Sequence, residues 1–127
     1  MEVYDPQANS WQRVASMPRG LCKHAAAAMG GKIYVTGGEA GQAMVNSAYV
    51  YDPQADAWTQ LASMGTGRNE HASAAVGGKL YVFGGRRDDG VSGEPLSTAE
   101  VYDPASNSWA PVTSLTSARR YFVAAAL

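Results

Sequence analysis

The sequence predicts an all-β chain assembled from repeats, and three observations predict it. An apolar segment closing in a glycine pair occurs twice, as Lys32-Ile33-Tyr34-Val35-Thr36-Gly37-Gly38 and Lys79-Leu80-Tyr81-Val82-Phe83-Gly84-Gly85. A second segment ending in Tyr-Asp-Pro and followed by tryptophan occurs three times, around Tyr4 and Trp11, Tyr51 and Trp58, and Tyr102 and Trp109. The spacing is regular: Trp11 and Trp58 stand 47 residues apart, as do Gly37 and Gly84, and Trp58 and Trp109 stand 51 apart. A four-residue extension of the loop after Gly85 accounts for the longer interval. A period of about 50 residues belongs to propeller and solenoid architectures.

These residues resemble the kelch repeat: a double glycine after an aromatic-aliphatic strand, then Tyr-Asp-Pro, then Trp six residues before Met17, Met64 or Leu115. The resemblance covers nearly the whole chain. It implies that each repeat is one four-stranded blade of a β-propeller, with strands A to D running outward from the axis. The fold expected is therefore a partial kelch-type propeller. Two complete antiparallel blades are flanked by an incomplete blade (strands C and D) and a final lone strand A. The divisions fall at 1–20, 21–67, 68–118 and 119–127.

Taken in order, Glu2-Val3-Tyr4 is strand C of the incomplete blade. Asp5-Pro6 opens a turn, with Asp and Pro in the positions a turn favours. Strand D follows from Trp11. The run His24-Ala25-Ala26-Ala27-Ala28-Met29 has helical propensity, but its register partners, 71–76 and 122–127, are poorer helix formers. Gly30-Gly31 and Gly77-Gly78 end the first two copies as hairpin turns do. Alanine also suits a strand A crowded at the propeller axis. Strand B, 32–36 and 79–83, carries bulky residues on both faces, as a sheet covered on both sides requires. Gly37, Gly38, Gly84 and Gly85 mark positions where φ is positive or a neighbour excludes a Cβ. Strand C follows at 48–51, and strand D near Trp58.

Composition narrows the function. Of 127 residues, 46% are apolar and the net charge is −1. That is a globular balance, with no basic footprint for nucleic acid or an anionic membrane. No apolar run reaches the ~20 residues of a membrane-spanning helix. Cys22 is the single cysteine, so no intrachain disulfide forms and a thiolate zinc site is disfavoured. With no visible signal peptide, the cytoplasm is the favoured compartment. Two complete blades fall short of the four to eight of a propeller. The expectation is a piece of a longer kelch protein, or a chain that self-associates through its open blade edges.

Alternating strands send the B–C and D–A loops to one end of the blades, where the copies diverge. Divergent loops on a rigid scaffold are the usual seat of binding residues. The candidates are Arg68, Asn69, Arg119, Arg120 and Tyr121 from the D–A loops, with Glu39, Asn46, Arg86 and Arg87 from the B–C loops. Arg68 and Arg119 share a register, and the resemblance favours a structural role in joining blades. Asn69 and Arg120 share the next register with Cys22, so that position is free to bind. Arg86, Arg87, Asp88 and Asp89 read first as a solvated loop tip. His24 and His71 lack a third ligand, and zinc wants three or four. Trp11, Trp58 and Trp109, like Tyr34 and Tyr81, recur in register and read as packing residues.

The reading is a non-catalytic protein- or peptide-binding module without cofactor, whose arginines face acidic groups. The alternative is a fragment of a sugar-processing kelch enzyme, mutarotase-like or galactose-oxidase-like. Against it stand the absence of a Tyr/His ligand cluster around Cys22 and of a triad or phosphate loop. In one large kelch subfamily the propeller recruits substrates for a cullin-based ubiquitin ligase. That role needs a BTB domain, which this sequence lacks.

Overall fold

The Tyr-Asp-Pro…Trp module folds through one side chain placed at a left-handed backbone position. Asn9, Asp56 and Asn107 occupy the same register and have φ of 49°, 46° and 46°. Asn and Asp tolerate this region best among residues with a Cβ. Each accepts the hydroxyl of the tyrosine five residues earlier: Tyr4 at 2.7 Å, Tyr51 at 2.8 Å and Tyr102 at 2.9 Å. The aspartate after each tyrosine caps the turn, with Oδ1 of Asp5, Asp52 and Asp103 accepting a backbone N–H two residues on. The turn thereby fixes the antiparallel register of strands C and D.

The computed structural model describes residues 1–87 and 93–126, and all its regular structure is β. Strands β1 (Glu2–Asp5) and β2 (Ser10–Arg13) form a two-stranded sheet. β3 (Ala25–Met29), β4 (Lys32–Thr36), β7 (Ala48–Asp52) and β8 (Ala57–Gln60) form a four-stranded antiparallel sheet in that order. β9 (Ala72–Val76), β10 (Lys79–Phe83), β11 (Ala99–Asp103) and β12 (Ser108–Val112) form the second. These are the expected C–D pair and two complete blades, and the first two alanine runs are strands. A hairpin not anticipated from sequence, β5 (Glu39–Ala40) with β6 (Ala43–Met44), turns the first B–C loop back on itself.

One expectation takes a different form. Residues 121–126, read as a further strand A, pair with no strand. No strand lies beside it among the described residues, and one backbone alone cannot satisfy its own N–H and C=O groups. The segment still lies where a strand A belongs. Phe122, Val123 and Ala124 wall a cleft of about 210 Å³ with Ala25, Ala26, His71, Ala72 and Ser73.

The core is the seam between the two blades. Tyr34 of β4 packs on Leu80 and Tyr102 of the second blade, with the tyrosine rings 6.2 Å apart. Trp109 donates from Nε1 to the carbonyl of Ala62 at 2.8 Å, while the N–H of Ala62 reaches Asn107 Oδ1 at 3.0 Å. The same pair of bonds joins the incomplete blade to the first: Trp58 to the Ala15 carbonyl at 3.0 Å, and Ala15 N–H to Asp56 at 2.8 Å. Trp58 and Trp109 are inter-blade clamps.

Candidate functional site

The double glycines explain how the loops gather at one end. Gly38 N–H donates to the Arg68 carbonyl and Gly85 N–H to the Arg119 carbonyl, each at 2.8 Å. Each glycine pair thus receives the loop that leads into the next blade. A Cβ on Gly38 would stand 2.6 Å from the Cys22 carbonyl oxygen, and one on Gly85 2.5 Å from that of Asn69. Only glycine admits such an approach. Within each blade the D–A loop is also tied to the start of the B–C loop. Cys22 exchanges backbone hydrogen bonds with Glu39, and Asn69 with Arg86, at 2.8–3.1 Å.

A main-chain belt then crosses from blade to blade. Lys23, Glu70 and Tyr121 share a register and have φ of 54°, 55° and 53°. Glu70 N–H donates to the Lys23 carbonyl and Tyr121 N–H to the Glu70 carbonyl, both at 3.0 Å. Non-glycine residues in this conformation carry a backbone cost that surrounding structure must enforce. Here the inter-blade bonds enforce it, and the three side chains at the belt differ.

The side chains on this end form a charged cluster around a buried carboxylate. Glu70 is buried, with Lys23 Nζ 3.7 Å from one oxygen and Arg120 Nη1 3.8 Å from the other. Lys23 also pairs with Glu39 at 3.0 Å. Glu39, and Glu70 behind it, raise the Lys23 pKa above the ordinary lysine value, so it stays charged. The heads of Lys23 and Arg120 remain half-exposed. Arg120 lies 5.4 Å over the ring of Tyr121, which is itself exposed.

The sequence-predicted residues divide sharply. Arg68 is fully buried and grips the second blade: Nη1 donates to the carbonyls of Gly84 at 2.8 Å and Thr98 at 3.0 Å, and Nη2 to Glu100 at 2.9 Å. Glu100 in turn accepts the N–H groups of Gly65 at 2.6 Å and Thr66 at 3.2 Å. Arg68 therefore has no solvent-facing group to offer a ligand. Asn69 is also buried and donates to Glu39. Arg119 keeps the backbone pattern of Arg68, but its side chain is exposed and, among the described residues, donates to Ser117 at 3.0 Å. Asn46 donates from Nδ2 to the Met64 carbonyl at 3.0 Å, which ties the first B–C loop to the D–A loop. Arg86 is half-buried and Arg87 exposed. Asp88 and Asp89 lie outside the described residues. The site thus brings together Glu39, Arg120 and Tyr121, and adds Lys23 and Glu70. Their shared register with Tyr121 was the sequence signal for that addition.

His24 is exposed and His71 buried. His71 Nε2 lies 2.9 Å from Thr36 Oγ1. Burial, then the charge of Arg68, lowers its pKa to about 3. It is a neutral packing residue.

Comparison with known proteins agrees with the fold. The model of the KLHDC2/KLHL20/DRC7 Kelch-repeats domain matches residues 1–127. Kelch-like protein 24 of Rattus norvegicus and that of Homo sapiens are each 44% identical to the chain over 45 residues. That stretch is 35% of this chain and 8% of either relative.

Proposed function

The chain belongs to the kelch-repeat family, and from that premise we propose that it is a non-catalytic module binding a protein or peptide through the end that carries its B–C and D–A loops. One observation carries the reading. At Lys23, Glu70 and Tyr121 the backbone is held in one conformation by the same inter-blade bonds, while the side chains change from cation to anion to phenol. A fixed frame with variable chemistry is what a recognition surface requires. Arg120 and Tyr121 are the anchors, with Lys23, Arg119 and Arg87 as further cations. Arginine and tyrosine are the residues that concentrate binding energy at interfaces. Carboxylates of an acidic partner segment fit these heads, and Glu70 sets the position of two of them.

We also propose that residues 21–67 and 68–118 are the repeat units, and that the chain acts as part of a longer propeller. Exposed blade edges support the second point. Anisotropy titration with fluorescent Asp/Glu-rich peptides tests the binding reading. Saturable binding should weaken at least tenfold in Arg120→Ala and in Tyr121→Ala, with the urea midpoint unchanged. Binding that ignores both substitutions, or no binding to any acidic sequence, would overturn it.

A further inference from the structure

The loop end already holds a carboxylate, and it is the protein's own. Glu39 Oε1 accepts from Asn69 Nδ2 and, at 3.0 Å, from Lys23 Nζ, while Oε2 lies 3.8 Å from Cys22 Sγ. Cys22 and Lys23 belong to one D–A loop and Asn69 to the next. Side chains of two successive loops thus close on one anion, and hydrogen bonds to an ionised acceptor are the strong kind.

Glu100 shows by contrast how a scaffold carboxylate is held. It is buried, and the main-chain N–H groups of Gly65 and Thr66 donate to it along with Arg68. The Glu39 carboxylate takes side-chain donors alone among the described residues. Its side chain is 19% exposed. The Glu39 backbone is fixed separately, by its bonds to Cys22 and its pairing with Met44 across the β5–β6 hairpin. The carboxylate can therefore rotate into solvent without breaking a main-chain bond. Its departure leaves the buried Asn69 with an unmet Nδ2 donor, and a buried donor without an acceptor is costly. Glu70, 3.7 Å from Lys23 Nζ, keeps the ammonium close by. The vacated place is thus made for another carboxylate.

We propose that Glu39 is a resident competitor: it fills a carboxylate seat formed by Lys23 and Asn69, and an acidic partner segment takes that seat by displacing it. This rests on the acidic-partner reading above and adds how that site is regulated. A tethered competitor acts at a high effective concentration. Glu39 therefore lowers the affinity for every acidic segment and excludes segments that bring no carboxylate to the seat.

Glu39→Gln tests the proposal, because its amide oxygen still accepts from Asn69 while the charge is gone. In anisotropy titrations the fluorescent Asp/Glu-rich peptides should bind this variant about two- to fivefold tighter than the unaltered chain, the worth of one partly exposed ion pair. In a Lys23→Met background the same change should bring no gain. A second readout needs no ligand. The Lys23 ε-amine should be acylated by acetic anhydride faster in Glu39→Gln, as measured by peptide mass spectrometry. Equal or weaker peptide binding by Glu39→Gln would overturn the proposal, and so would a gain that persists without Lys23 or an unchanged acylation rate. If neither chain binds any acidic peptide, the acidic-partner reading fails and the competitor role fails with it. Faster acylation in that case shows that Glu39 does hold Lys23 and that the ligand class was wrong.

Discussion

The seam between the two complete blades and the edge at β1 carry the same sequence signature in opposite surroundings. Trp109 is clamped to Ala62 and half-buried, while Trp11 has no such clamp among the described residues and is 68% exposed. Arg68 is enclosed by Gly84, Thr98 and Glu100, while Arg119 stands in solvent. The difference teaches that a repeat residue acquires its role from the next blade. The motif supplies the side chain, but the neighbour supplies the partner. This is the behaviour of a nearest-neighbour repeat system.

The comparison breaks first at the two arginines. Arg68→Met leaves Glu100 buried without its cation, and removing one partner of a buried pair costs ~3–5 kcal/mol. Arg119→Met, at a surface position, should cost under ~0.5 kcal/mol. Urea unfolding of the two variants measures both. Equal effects would place the Arg119 side chain in a scaffold contact.

The next effect is on pH. His71 has a folded-state pKa of about 3, below its unfolded value near 6.5. The unfolded chain therefore binds the proton first as pH falls. Stability from this group is complete above pH 6.5 and is lost from there down to about 3. Between pH 6.5 and pH 5 the loss is ~2 kcal/mol at 1.36 kcal/mol per unit. His71→Gln should flatten the profile of the unfolding midpoint over that range, whereas replacing exposed His24 should leave it in place.

The smallest effect sharpens the comparison most. Trp109→Phe and Trp58→Phe each lose one indole hydrogen bond and leave an alanine carbonyl without it, a cost of ~1 kcal/mol. Trp11→Phe loses no such bond and should be neutral within ~0.5 kcal/mol. Thermal melts of the three variants separate clamps from a bare tryptophan.

Much of the fold was legible because it is written locally and repeatedly. The Gly-Gly pairs, the Tyr-Asp-Pro turns and the alanine strands each sit within a few residues of what they make. Recurrence in register overrode the helical propensity of 24–29. The Asn9, Asp56 and Asn107 register was also visible, although its hydrogen bond to tyrosine needed coordinates. The site was less legible. Arg68 and Asn69 are withdrawn from solvent by contacts with residues 30 positions away, and no local pattern announces such partners. Lys23 and Glu70 were passed over as anchors because their importance lies in a backbone belt between blades. The missing ladder of 121–126 depends likewise on a strand that the local sequence does not mention.

Native-state hydrogen exchange tests the central claim, that the fold is held at the inter-blade seam, most directly. The amides of Gly38, Ala62 and Glu70 donate across blades to the Arg68 carbonyl, Asn107 Oδ1 and the Lys23 carbonyl. They should exchange only with global unfolding, while amides on the free edge of β1 and in 122–126 exchange orders of magnitude faster. Edge amides as slow as those of the seam, or seam amides that exchange by local opening, would contradict the account.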